Sequence, residues 1–110
     1  MSYEIGEIWY AKFSIEEEDS SKFIERPIII ADVRLPNLVV IKITKHDPRE
    51  SDPYDVPIIR YKEAGLIHPS TAKISKAVII DVGQVDNRKG ALQSLDYDNI
   101  FGTLNSFLGK

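Results

Sequence analysis

A small, strongly curved, mostly antiparallel β-barrel with one C-terminal helix is the fold this sequence predicts, as a single domain over residues 1–110. Three observations predict it. Apolar segments of strand character recur at short intervals, separated by turn residues. An apolar repeat in three- and four-residue steps begins only at Ser94. Strands and helices do not alternate, which argues against a doubly wound parallel sheet.

The first strand is "EIWYAKF", 7–13, followed by a polar loop from Ser14 to Glu25 that carries the acidic run "EEEDS". "PIIIADV", 27–33, has three successive isoleucines and reads as a strand buried on both faces. "RLPN", 34–37, is a turn, because Pro36 fixes its φ and Asn37 tolerates a tight corner. "LVVIKIT", 38–44, is the third strand, and a loop follows over 45–54. "DVPII", 55–59, belongs at a sheet edge, since Pro57 has no N–H for a central ladder. "YKEAGL", 61–66, makes one helical turn ended by Gly65. Residues 70–75 and 77–82 form one long or bent strand, and 83–94 read as a loop or short hairpin. The helix spaces Leu95, Ile100, Phe101, Leu104, Phe107 and Leu108 along one face. Ser94 or Asp96 is its expected N-cap, and Gly109 its end.

With 43% hydrophobic and 28% charged residues the composition is that of a soluble globular domain. The absence of cysteine excludes disulfides, thiolate metal sites and a cysteine nucleophile, and suits a reducing cytosol. No apolar run is long enough to span a bilayer, and "MSYEIGEIWY" has no basic-then-apolar leader pattern. A cytoplasmic protein with no membrane contact is expected. The net charge of −3 argues against non-specific coating of nucleic acid, although a local basic surface is compatible with an acidic total.

The usual site signatures are missing. "GTLNSFLGK" lacks the spacing of a phosphate loop, and "DYDNIF" lacks the third oxygen ligand and the glycine of a calcium loop. His46 and His68 lie in different loops without the spacing of a helical zinc pair, so no metal site is expected. What remains is a set of polar groups at strand ends. Arg26 precedes Pro27, which biases it towards extended backbone. Thr44 closes the third strand on the face of Lys42, and Thr71, Lys73 and Ser75 alternate along one face of a later strand. Lys45, His46, Asp47 and Arg49 crowd the loop after Thr44. If the strands are neighbours, Arg26, Thr44, Thr71, Lys73 and Ser75 share one rim. Such a set suits phosphate: arginine offers a planar fork, lysine a point charge, and hydroxyls short donors. RNA cleavage needs a base for the 2′-hydroxyl proton and donors for the charge gathering on phosphoryl oxygens. The plain alternative is that these residues form solvated strand faces and turns.

In order and spacing, "GEIWYAKF", "RPIII" after a polar loop, the strand ending "KIT", "GLIHPSTAKISKAVIIDV" and the closing helix resemble the MazF/PemK toxins. These are the toxin members of bacterial type II toxin–antitoxin pairs, and the resemblance spans roughly residues 6 to 108. It implies an SH3-like, CcdB-like barrel with a C-terminal helix, a symmetric homodimer, and no cofactor. The implied activity is metal-independent endoribonuclease cleavage of single-stranded RNA through a 2′,3′-cyclic phosphate. The implied partner is a cognate antitoxin whose disordered acidic C-terminal segment occupies the RNA groove.

The family's arginine of the Arg-Pro motif, which contacts the scissile phosphate, falls on Arg26, and its strand-end threonine on Thr44. Lys45, His46 and Arg49 lie in a loop that recognises flanking nucleotides in the family, and Thr71, Lys73 and Ser75 are expected to line the site. The chain departs from the family in three places. "SSKFIERP" replaces the usual Glu-Gln-x-Gly run before Arg-Pro, Lys45 stands where a small serine is common, and Lys73 and Ser75 stand nearest to a later-strand Arg/Asp pair. The general base is open among Glu25, His46 and Asp47. A CcdB-like, gyrase-type protein-binding toxin, or an inactive member that only binds RNA or antitoxin, is the alternative.

Overall fold

The computed structural model describes residues 2–14 and 23–109; the acidic run at 16–20 lies outside them. Among the described residues, six strands, a short 3-10 turn (Val82–Gln84) and one α-helix follow in chain order: β1 (Glu7–Ser14), β2 (Phe23–Arg34), β3 (Asn37–Thr44), β4 (Asp55–Ile58), β5 (Ser70–Asp81), β6 (Val85–Ala91) and α1 (Ser94–Phe107). They form a single antiparallel sheet in the order β4-β5-β3-β2-β1-β6. The sheet is not closed. β4 and β6 are its two edges, so the expected barrel is a bent open sheet. Register shifts in the β1–β6, β2–β3 and β3–β5 ladders supply the bend, since each unmatched residue locally increases twist.

The three isoleucines of β2 show why it is the central strand. Ile28 and Ile30 enter one apolar cluster with Trp9, Leu38, Val40 and Ile80, whereas Ile29 enters another with Ile8, Ile41, Ile74 and Ile100. All three are fully buried. The second of these clusters is roofed by α1, whose Ile100, Phe101 and Leu104 pack against it. Pro57 lies on β4, an edge strand as expected, and Leu35 and Pro36 form the tight turn between β2 and β3. The 61–66 segment is one hydrogen-bonded turn, with Leu66 N–H donating to the Tyr61 carbonyl and Gly65 at φ +99°.

Two expectations are corrected. Residues 85–91, expected within a loop or short hairpin, are a strand of the main sheet: β6 pairs with β1 from Glu7↔Ala91 to Ala11↔Val85. Its residues "VDNRKGA" lack hydrophobic alternation, and pairing with β1 supplies what local preference does not. The helix N-cap position is Gln93, without a side-chain cap bond. Asp96, fully buried, instead accepts the N–H groups of Ile59 (2.9 Å) and Arg60 (2.8 Å), tying the first turn of α1 to the end of β4.

Glu7 fastens β6 to the sheet. Its carboxylate accepts from Arg88 Nε (2.8 Å), Trp9 Nε1 (3.1 Å) and the Glu4 N–H (2.8 Å). Burial pushes this carboxyl up, but the three donors outweigh it and hold it below its ordinary value of 4.5. A carboxyl lowered in the folded state contributes stability above its unfolded pKa, and that contribution is lost as pH falls through the folded value. Urea midpoints of wild type are therefore expected to fall more steeply on acidification below about pH 4.5 than those of Glu7→Gln. Parallel acid limbs in the two proteins would remove Glu7 from the titration.

Candidate functional site

One end of the sheet carries a cleft of about 320 Å³ where the start of β2 meets the end of β3. The β2–β3 ladder pairs Ile28 with Lys42. Two residues beyond that pair, on each strand, come Arg26 and Thr44, and both line the cleft. Glu25, Pro27 and Lys45 flank them; Tyr10 of β1, His68 and Ser70 at the entry to β5, and Lys89 of β6 complete the walls. Arg26, Lys45 and Glu25 are exposed, as is His68. The cleft thus holds three cations against one carboxylate, in a chain whose net charge is −3.

Thr44 keeps a hydroxyl proton to donate. Its Oγ1 accepts the His46 N–H at 3.3 Å, which leaves its hydroxyl proton free to point at an anionic oxygen in the cleft. The loop that follows is pinned from below. Thr71, only 2% exposed, donates its hydroxyl to the His46 carbonyl at 2.7 Å. His46 and Thr71 line a smaller hollow of about 220 Å³, with Asp47, Pro48, Pro57 and Ile59, and Ser70 borders both hollows.

The structure therefore brings Arg26, Thr44 and Lys45 together and places the other expected residues elsewhere. Arg49 does not reach the cleft wall: its Nε donates to Asp55 (3.2 Å) and its Nη2 to Asp52 (3.3 Å). Lys73 lies 3.9 Å from Asp55, whose carboxylate is almost fully buried, and Ser75 donates to Asp52 at 2.6 Å. The bond from Ser75 leads the interactions that hold the Asp52 carboxyl below its ordinary value, with the Tyr54 N–H next. The alternation that put Thr71, Lys73 and Ser75 on one face holds, since Ala72 and Ile74 are buried in the cluster under α1. What covers that face is the His46 carbonyl over Thr71, Asp55 of β4 beside its register partner Lys73, and Asp52 of the preceding loop over Ser75, so these side chains brace the loop rather than line the cleft.

Tyr10, His68, Ser70 and Lys89 are the cleft residues the sequence reading missed. His68 has no zinc-pair spacing, but its place just before a strand beginning at Ser70 is a signal for a sheet-end position. Lys89 had no signal, because β6 itself had none.

Fold and cleft together define a small β-domain with a cation-lined hollow at one end of its sheet. The chain belongs to the PemK-like, MazF-like toxin family of type II toxin–antitoxin systems, whose family profile matches residues 4–108. Solved structures agree on the fold. The Mycobacterium tuberculosis toxin MazF-mt6 superposes with a TM-score of 0.72 at 20% identity, covering 94% of this chain and 96% of that one. The MazE–MazF complex (Form-II) of Deinococcus radiodurans gives 0.76 at 12% identity, covering 97% and 96%. A mycobacterial endoribonuclease in complex with its cognate antitoxin gives 0.75 at 12%, covering 98% and 96%. Among curated proteins, none matches the chain.

Proposed function

We propose that this toxin is an endoribonuclease that cuts single-stranded RNA without a metal ion. The observation that carries the reading is the meeting of Arg26 and Thr44, from two neighbouring strands, on the wall of one cationic cleft. Arg26 presents a fork to two phosphoryl oxygens, and Thr44 donates to the same phosphate. A base takes the 2′-hydroxyl proton, O2′ attacks phosphorus, and the P–O5′ bond breaks. The leaving 5′-oxygen takes a proton, so the products are a 2′,3′-cyclic phosphate and a 5′-hydroxyl. Glu25 and His68 are the titratable groups of the cleft suited to move these protons. His46 and Asp47 line the neighbouring hollow and, with Lys45, suit contact with the flanking nucleotides.

The cationic cleft equally suits an acidic antitoxin segment, which would block it by occupying the place of RNA. The action belongs in the cytoplasm; no helix among the described residues is long and apolar enough to cross a membrane. A homodimer is part of the proposal, since β5 leaves Ile79 67% exposed and α1 leaves Phe107 and Leu108 uncovered. Sedimentation at micromolar concentration is expected to give twice the chain mass, and a monomer there would refute the dimer.

The nuclease reading is tested by incubating the protein with a long single-stranded RNA in EDTA. Discrete fragments are expected. Intact RNA from a folded protein would shift the reading to a CcdB-like, protein-binding toxin.

A further inference from the structure

We infer that Lys89 is a phosphate-binding residue of the same cleft, holding the RNA backbone at a nucleotide beside the cut; this rests on the nuclease reading above. Lys89 is half-buried on β6, and its ammonium sits 5.2 Å from the centre of the Tyr10 ring, which also lines the cleft. An ammonium over a ring face is attracted to it yet keeps its donors, because the ring accepts no strong hydrogen bond. Among the described residues, Arg34, Arg49, Lys73 and Arg88 are in ion pairs, whereas Arg26, Lys45 and Lys89 are not, nor are Lys12, Lys42, Arg60, Lys62 and Lys76 outside the cleft. What sets Arg26, Lys45 and Lys89 apart is that they line one cleft, where a single anion from outside meets all of them.

The position of Lys89 is also fixed from behind. A Cβ on Gly90 would lie 2.0 Å from the Ala64 carbonyl oxygen, and one on Gly65 would lie 2.4 Å from the Lys89 carbonyl oxygen. Two backbones therefore meet where only glycines fit. The 64–65 backbone runs directly into Leu66, Ile67 and His68, which form the adjoining cleft wall. The backbone of Lys89 is thus held against that wall, on the strand that β1 separates from β2 and Arg26.

The test measures binding of a fully 2′-O-methylated single strand, which lacks the attacking hydroxyl, across a range of salt concentrations. Lys89→Gln is expected to bind roughly tenfold more weakly at low salt and to reduce the slope of log Kd against log salt by about 0.7, one phosphate contact on a single strand. Lys89→Arg is expected to keep the wild-type slope. In cleavage, Lys89→Gln is expected to raise KM with kcat little changed, as for a contact made equally before and during the reaction. A folded Lys89→Gln protein with the wild-type slope overturns the assignment. If its affinity falls while the slope stays, Lys89 only packs Tyr10. Wild type that cuts RNA while Lys89→Gln keeps the slope defeats this inference alone, whereas wild type that neither binds nor cuts defeats the nuclease reading and this inference with it.

Discussion

Arg26→Ala is expected to lower RNA cleavage at least about a hundredfold, the scale for removing one preorganised donor from a transition state. The loss follows from where the charge develops. As O2′ closes on phosphorus, the phosphoryl oxygens gain negative charge, and the Arg26 fork meets it better than water does because it needs no reorientation. Arg26 is exposed, so its removal is expected to leave folding intact. Its backbone is held in β2 opposite Ala11, independently of the side chain. Lysine at this position keeps the charge but loses the fork, and is expected to recover only part of the rate. An unchanged rate in a folded Arg26→Ala protein would take Arg26 out of the mechanism.

Asp96→Ala is expected to cost about 3 kcal/mol of folding stability, because it removes the buried carboxylate that accepts from two backbone N–H groups, at about 1.5–3 kcal/mol for each bond to a charged group. For a domain of this size that is a fall in Tm of roughly 15 °C. The affected N–H groups, on Ile59 and Arg60, stand where the chain leaves β4 for the turn that supplies Leu66, Ile67 and His68 to the cleft. The same substitution is therefore expected to slow cleavage below the unfolding temperature. Asp96→Asn keeps one acceptor and is expected to lose about half as much. A denaturant midpoint equal to wild type in Asp96→Ala would show that water replaces the carboxylate.

Much of this was legible along the chain because burial writes itself into residue type. The run Ile28-Ile29-Ile30 announces a strand with a core on each face, and Pro57 announces an edge. Arg26 and Thr44 were legible as a pair because both stand at strand ends and β2 and β3 are joined by a tight turn, so that register brings them level. The face shared by Thr71, Lys73 and Ser75 was legible from alternation, but its cover was not. Asp52 reaches it through the path of the loop before β4 and Asp55 through the pairing of β4 with β5, and periodicity describes neither. β6 was hidden for a related reason: Asp86, Asn87, Arg88 and Lys89 carry no strand pattern, and their pairing is dictated by β1 and fastened by Glu7. Long-range contacts, not local preference, built both features, and with β6 hidden Lys89 stayed hidden too.

The mechanism proposed for Arg26 and Thr44 stands or falls on RNA cleavage without a metal ion. The most direct test is to map the chemistry of the new ends when wild type and Arg26→Ala are incubated in EDTA with the same long single-stranded RNA. Discrete cuts ending in 2′,3′-cyclic phosphate and 5′-hydroxyl are expected with wild type, and at most traces of the same cuts with Arg26→Ala. Intact RNA from folded wild-type protein, or identical cutting by the two, would contradict that mechanism.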